Sequence, residues 1–227
     1  MGKYYKDKKS SEYMKIMLTS AGINNKSLEN SLKKLCDEEI KIAFIPTAAN
    51  MEKGDKSWLI DDLANCKKLG VVDVVDIAAL EKKEWLSRLK SANVIFMGGG
   101  DTTYLMNEVR RSGLADELRE LLETRVYVGI SAGSIIMSDS IQTSSEYLFK
   151  LYDDEVESPP EGLGFIEFGM RPHLNSPHFP KVNDENLKEI FRDSGSDIYA
   201  LDDNSAVIWN DGKIEVVSEG TWIKYPK

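Results

Sequence analysis

The stretch VYVGISAGSIIM, residues 126–137, opens on an apolar run, passes through a serine set among small residues and closes on a second apolar run. A buried strand that turns sharply into a helix has this form, with unbroken apolar residues on the strand and small ones where the backbone doubles back. Outward from it, four more short runs have the same strand character, at residues 15–19, 41–45, 71–77 and 93–97. All five read as strands buried on both faces. Between them, SLENSLKKLC, SWLIDDLANCKKL, EKKEWLSRL and TTYLMNEVRRSGLADELRELLE place Leu, Ile and Trp three and four apart, the spacing of helices with one apolar side. The last is expected to break at Ser112-Gly113. Strands and helices in alternation predict an α/β fold whose parallel sheet is covered by helices.

Beyond residue 137 the pattern changes. QTSSEYLFKLYDDEVESPPEGLGFIEFGMRPHLNSPHFP holds strand-like pieces, most of the prolines and a run of acidic residues, which predicts irregular structure. NDENLKEIFRDSG reads as a helix, and AVIWNDGKIEVV as a hairpin turning at Asn210-Asp211-Gly212. Residues 1–13 are polar and charged, and MKIMLTS from Met14 has the look of a natural start, so 1–13 is expected to be an extension and 14–227 one domain.

With 227 residues, 41% of them apolar, the chain can bury one sizeable core. Its formal charge of −9 disfavours nucleic acid and anionic membranes as partners, since both need a basic surface. Cys36 and Cys66 stand far apart with no histidine near either, which fits apolar filler better than a disulfide framework or a zinc site. No apolar run reaches the ~20 residues that cross a bilayer and no signal peptide is visible, so a cytoplasmic location is expected.

In a doubly wound sheet the functional residues follow the carboxyl ends of strands. Two such places carry unusual sequence: Gly98, Gly99, Gly100 and Asp101 after NVIFM, and the turn after VYV. The turn matches G-x-S-x-G, the nucleophile elbow, with Ser131 at its centre between Gly129 and Gly133. The N–H of Ala132 then faces any oxyanion that Ser131 creates, and the glycine run can supply a second donor because no Cβ blocks a ligand. A serine needs a base, and the base needs a carboxylate to orient it. The chain has two histidines, His173 and His178, both in RPHLNSPHFP. The glycine run lacks both the third spaced glycine of a dinucleotide fingerprint and the Lys-Ser/Thr of a P-loop, so nucleotide binding is not expected. Hydrolysis through a serine and its base requires no metal, and no other cofactor is expected.

FMGGGDTTYLMNEVRRSGL, VYVGISAGSIIM and GLGFIEFGMRPH, in that order, resemble the peptidase E family of serine peptidases, which includes aspartyl dipeptidases and, more distantly, cyanophycinases. The resemblance runs through most of residues 14–227. It implies a three-layer α/β sandwich with a mainly parallel sheet, similar to the class I glutamine amidotransferases. It also implies Ser131 as nucleophile, His173 as general base, Gly99, Gly100 and Ala132 as oxyanion donors, and as third triad member the acid fifteen positions after the serine, Glu146. Asp139 and the acidic run at 153–157 are the alternatives for that acid. His178 is left as a possible substrate contact.

Two departures from the family pattern bear on substrate. Asp101 stands where the dipeptidases have asparagine, and Asn183 and Asp184 stand where they tend to carry an arginine for an acidic side chain. Strict specificity for an N-terminal aspartate is therefore in doubt, unless Arg171 or Lys181 supplies the countercharge. The expected activity is hydrolysis of small peptides through an acyl-enzyme on Ser131, by a monomer or homodimer. Two rivals remain: an α/β-hydrolase esterase, whose histidine would normally come near the C-terminus rather than 42 residues after the serine, and a ligand-binding protein of the same fold without turnover.

Overall fold

A computed structural model describes residues 14–148 and 160–227. The expected extension at 1–13 and the acidic run at 153–157 lie outside the described residues. In chain order the elements are β1 (Lys15–Thr19), α1 (Lys26–Leu35), β2 (Lys41–Ile45), a 3-10 turn (Thr47–Met51), α2 (Ser57–Leu69), β3 (Val71–Val74), α3 (Lys82–Ser91), β4 (Val94–Met97), α4 (Thr102–Arg111), α5 (Leu114–Leu122), β5 (Val126–Ile130), α6 (Ala132–Ile135) and α7 (Ser145–Leu148). There follow β6 (Gly169–Arg171), α8 (Asp184–Ile190), β7 (Ile198–Leu201), β8 (Ser205–Asn210), β9 (Lys213–Ser218) and β10 (Trp222–Tyr225).

Seven strands form the main sheet in the order β3-β2-β4-β5-β1-β8-β9. The first five are parallel; β8 and β9 add an antiparallel hairpin beside β1. The chain steps outward from β1 through β2 to β3, then returns through β4 and β5. Right-handed crossovers place the helices of the two directions on opposite faces of the sheet. Leu28, Leu32 and Leu35 of α1 and Cys66 of α2 pack with Met17, Phe44, Phe96 and Val128 on one face. Trp85 and Leu89 of α3, with Leu105, Val109, Leu118 and Leu121 of α4 and α5, pack with Ile16, Leu18, Ala43, Ile95 and Tyr127 on the other. Successive residues of one strand therefore serve two cores, which is why these runs read as continuously apolar. Each fully buried Leu, Ile or Phe contributes about 1.5–3 kcal/mol.

The expected strand at 71–77 is shorter and less buried than its sequence implies. β3 is the sheet edge, and both of its faces are incompletely covered, which leaves Val71 56% and Val74 45% exposed. The helix break falls at Gly113, whose φ of 80° a side chain would resist. The hairpin turns through Asp211 and Gly212, both at positive φ. A strand-like piece of the stretch 142–180 becomes β6, but its pairing into a second sheet, β10-β7-β6, was not expected; that sheet packs on α8 through Leu187, Phe191, Ile198, Ala200 and Tyr225. Among the described residues no helix is long and apolar enough to cross a membrane.

Candidate active site

The parallel register sets Leu18 and Met97 beside Gly129, so the carboxyl ends of β1, β4 and β5 finish level. Ser131 sits just past β5 with φ 48° and ψ −105°, a backbone conformation that costs about 1–3 kcal/mol and persists only when its surroundings hold it. Several contacts do so. The Ser131 N–H donates to the Thr19 carbonyl (3.1 Å), the Ser134 hydroxyl donates to the same oxygen (2.8 Å), and Tyr127 donates its hydroxyl to the Gly133 carbonyl (2.6 Å). The small flanking residues are required by space as well as by the turn. A Cβ on Gly133 would sit 2.1 Å from the Met97 carbonyl oxygen, and one on Gly129 2.7 Å from the Gly133 carbonyl oxygen.

His173 follows β6 in the second sheet and also takes a positive φ, 66°. Its Nε2 is 3.0 Å from Ser131 Oγ, and its Nδ1 is 2.7 Å from Asp203 Oδ1. A carboxylate only accepts, so the ring proton is on Nδ1 and Nε2 is left to accept from the Ser131 hydroxyl. The imidazole lies flat against Phe179, with centroids 4.3 Å apart and planes within 7°. Asp203 occupies the turn between β7 and β8. Burial alone would push its pKa up, but hydrogen bonds and charge interaction with His173, together with the Ser20 hydroxyl, outweigh that and hold it below the ordinary aspartate value.

The glycine run lies against this serine. The Gly98 N–H donates to the Ile45 carbonyl (2.9 Å) and the Asp101 N–H to the Ala48 carbonyl (3.1 Å), which pins both ends of the run. Between them, the N–H groups of Gly99 and Gly100 donate to no protein acceptor among the described residues. Gly100 has φ 132°, and a Cβ there would sit 2.4 Å from the Ala48 carbonyl oxygen. A Cβ on Gly99 would touch the Ser131 side chain at 3.4 Å. The Ala132 N–H, the first after the serine, completes a set of backbone donors around Ser131.

The expectation that Glu146 orients His173 is corrected. Glu146, at the start of α7, bonds the Thr103 hydroxyl and the Thr102 N–H and shares a hydrogen bond with Asp101. Burial first, and then the Asp101 carboxylate, raise its pKa. Asp101 caps α4, accepting the Tyr104 N–H at 2.7 Å, so the two acids form a pair at the start of that helix. Asp139 lies beside Gly162 and Gly164. Arg171 does not face a substrate: it is 1% exposed and donates to the Thr143 carbonyl (2.8 Å) and the Ser145 hydroxyl (2.9 Å), bracing the segment before Glu146. Burial lowers its pKa to about 10. His178 is exposed on the loop that carries Phe179.

The sequence pattern of Peptidase family S51 matches residues 16–217. The chain belongs to peptidase family S51. An uncharacterized peptidase of Listeria monocytogenes is 27% identical to this S51 chain over 177 residues, 73% of this chain and 80% of that protein. A probable alpha-aspartyl dipeptidase of Drosophila melanogaster is 33% identical over 128 residues, 52% of this chain and 50% of that one. The crystal structure of a putative peptidase E protein from Listeria monocytogenes superposes with a TM-score of 0.73 at 22% identity, covering 91% of this chain and 99% of that one, a likeness of fold.

Ser131, His173, Asp203 and the glycine run all fall inside the span that matches S51. Asp203 is the residue that the sequence reading missed. A signal for it exists: IYAL is a short apolar run that ends in the acidic pair Asp202 and Asp203. β7 pairs in parallel with β6, which ends before His173, so an acid past one strand meets a histidine past its neighbour. That pairing brings together residues 30 positions apart.

Proposed function

We propose that this S51 peptidase is a serine peptidase acting on small peptides, with Ser131 as nucleophile, His173 as general base and Asp203 as the group that orients the imidazole. Ser131 Oγ attacks the scissile carbonyl carbon while His173 Nε2 takes the hydroxyl proton. The resulting oxyanion rests on N–H groups of Gly99 or Gly100 and of Ala132. His173 returns its proton to the departing amine, leaving an ester on Ser131. Water, giving its proton to the same nitrogen, then hydrolyses that ester to the free acid and restores the serine. The imidazolium formed in both steps is stabilised by the Asp203 carboxylate. The line from Ser131 Oγ through both ring nitrogens to Asp203, with steps of 3.0 and 2.7 Å, carries this reading.

The acid pair of Asp101 and Glu146 adjoins Gly100, and Arg171 is occupied elsewhere. An acidic side chain entering beside that pair would meet repulsion, so the substrates we infer are dipeptides or tripeptides that present a neutral or cationic group there. The test is a screen of purified protein against di- and tripeptides varied at the first residue, run beside Ser131→Ala. The expected result is hydrolysis by the wild type that Ser131→Ala reduces by at least about a thousandfold. Equal hydrolysis by the variant would refute the nucleophile, and a clear preference for N-terminal aspartate would refute the substrate reading.

A further inference from the structure

Ser20, the first residue past β1, has a side chain that touches two members of the triad. Its hydroxyl donates to Asp203 Oδ1 (2.9 Å) and accepts the backbone N–H of His173 (2.8 Å). The residue is fully buried, and its own N–H donates to the Ser205 carbonyl (3.3 Å), just past Asp203. The rest of the loop grips the same turn: Asn24 donates to the Asp203 carbonyl (2.6 Å) and Asn25 to the Asn204 carbonyl (3.0 Å). β1 is the neighbour of β5, which carries the nucleophile, and of β8, which follows Asp203; His173 comes from the other sheet. We propose that Ser20 is a positioning residue that fixes the second sheet's histidine against the main sheet's serine and sets how strongly Asp203 holds the imidazolium. The inference rests on the reading of Ser131, His173 and Asp203 as the catalytic triad.

Two physical effects follow from one hydroxyl. His173 is held at φ 66°, which a non-glycine residue keeps only when its neighbours favour it, and the bond to its N–H is one such constraint. The Ser20 O–H also draws negative charge from Oδ1, the oxygen that accepts Nδ1–H of the ring. Without it that oxygen attracts the imidazolium more strongly. Among the described residues, charged groups around the loop also include Asp202, which accepts from Asn204 N–H, the Ser205 hydroxyl and Thr221 N–H, Glu219, which accepts the Ser27 N–H, and Asp62 of α2, packed at Gly22.

The experiment follows inactivation of the protein by a fluorophosphonate, in which Ser131 Oγ bonds to phosphorus, fluoride leaves and the hydroxyl proton passes to His173. Saturation kinetics across pH separate the maximal rate from the affinity for the reagent. For Ser20→Ala the maximal rate should fall about 2- to 10-fold, the worth of the lost hydrogen bond that holds the His173 N–H, with affinity within about twofold. The acidic limb should move up by about half a pH unit. Ser20→Cys, which keeps the volume and donates weakly, should fall between the two, and it is read in the same way if Ser20→Ala melts too low to assay. An unchanged maximal rate and limb in a folded variant would overturn the proposal. A wild type that the reagent does not label would instead overturn the serine peptidase reading.

Discussion

Two carboxylates compete for the role of third triad member, and a pair of isosteric substitutions separates them. Asp203→Asn keeps the shape beside Nδ1 but removes the charge. Opposite charges about 4 Å apart at an effective dielectric near 20 attract by about 4 kcal/mol, a factor of roughly a thousand in rate if the whole attraction arises as the imidazolium forms. The Asp203 side chain is 38% exposed, so solvent screening reduces that figure. A second effect adds to the loss. The asparagine NH2 donates where the carboxylate accepted, so the ring proton moves to Nε2, which can then no longer accept from Ser131. With both effects the loss should be on the order of a thousandfold. Glu146→Gln alters a carboxyl bonded to Thr103 and Asp101 and should cost less than about tenfold. The assay is the rate of fluorophosphonate inactivation at pH 8 for both variants and wild type, each checked for an unchanged melting temperature. A larger loss for Glu146→Gln than for Asp203→Asn would refute the assignment.

Two further outcomes are expected. Gly133→Ala places a Cβ 2.1 Å from the Met97 carbonyl oxygen, against backbone that cannot swing aside, and should destabilise the fold by about 1–3 kcal/mol or more while abolishing labelling; a melting temperature equal to wild type would contradict this. Asp62, half-buried beside Gly22 and next to Asp61, has its pKa pushed up to about 7, above an unfolded value near 4. Its contribution to stability is thus complete below about pH 4 and lost as pH rises through about 7, so Asp62→Asn should gain up to a few kcal/mol over wild type at pH 8 and nothing at pH 4. Urea midpoints at the two pH values measure it, and an equal difference at both would sink the explanation.

The central strands were legible because parallel strands covered by two helix layers leave no polar alternation to misread: residues 15–19, 41–45 and 126–130 have the bounds expected of them. β3 was overread because an edge strand can keep valines that its neighbours cover only in part. The second sheet escaped notice since β6 has three residues and β7 four, too short for a periodicity, and their pairing joins distant segments. In the site, Ser131 and the glycine run announce themselves through local backbone demands that only small residues meet. The acid has no such local signature. A fixed interval from the serine pointed to Glu146, while the contact is decided by which strand lies next to the histidine's strand. Arg171 is similar: charge suggested a substrate contact, and only its position inside β6 reveals a brace for the segment before Glu146.

The short parallel pair of β6 and β7 has one more implication. The proposed base and acid follow its two strands, but the acid's turn runs straight on into β8 of the main sheet and is held there by Ser20, Asn24 and Asn25. Relative drift of the two sheets therefore stretches the histidine's reach to the acid and to the alcohol together. Gradual loosening of the molecule should dim the nucleophile by unseating the imidazole from both partners at once.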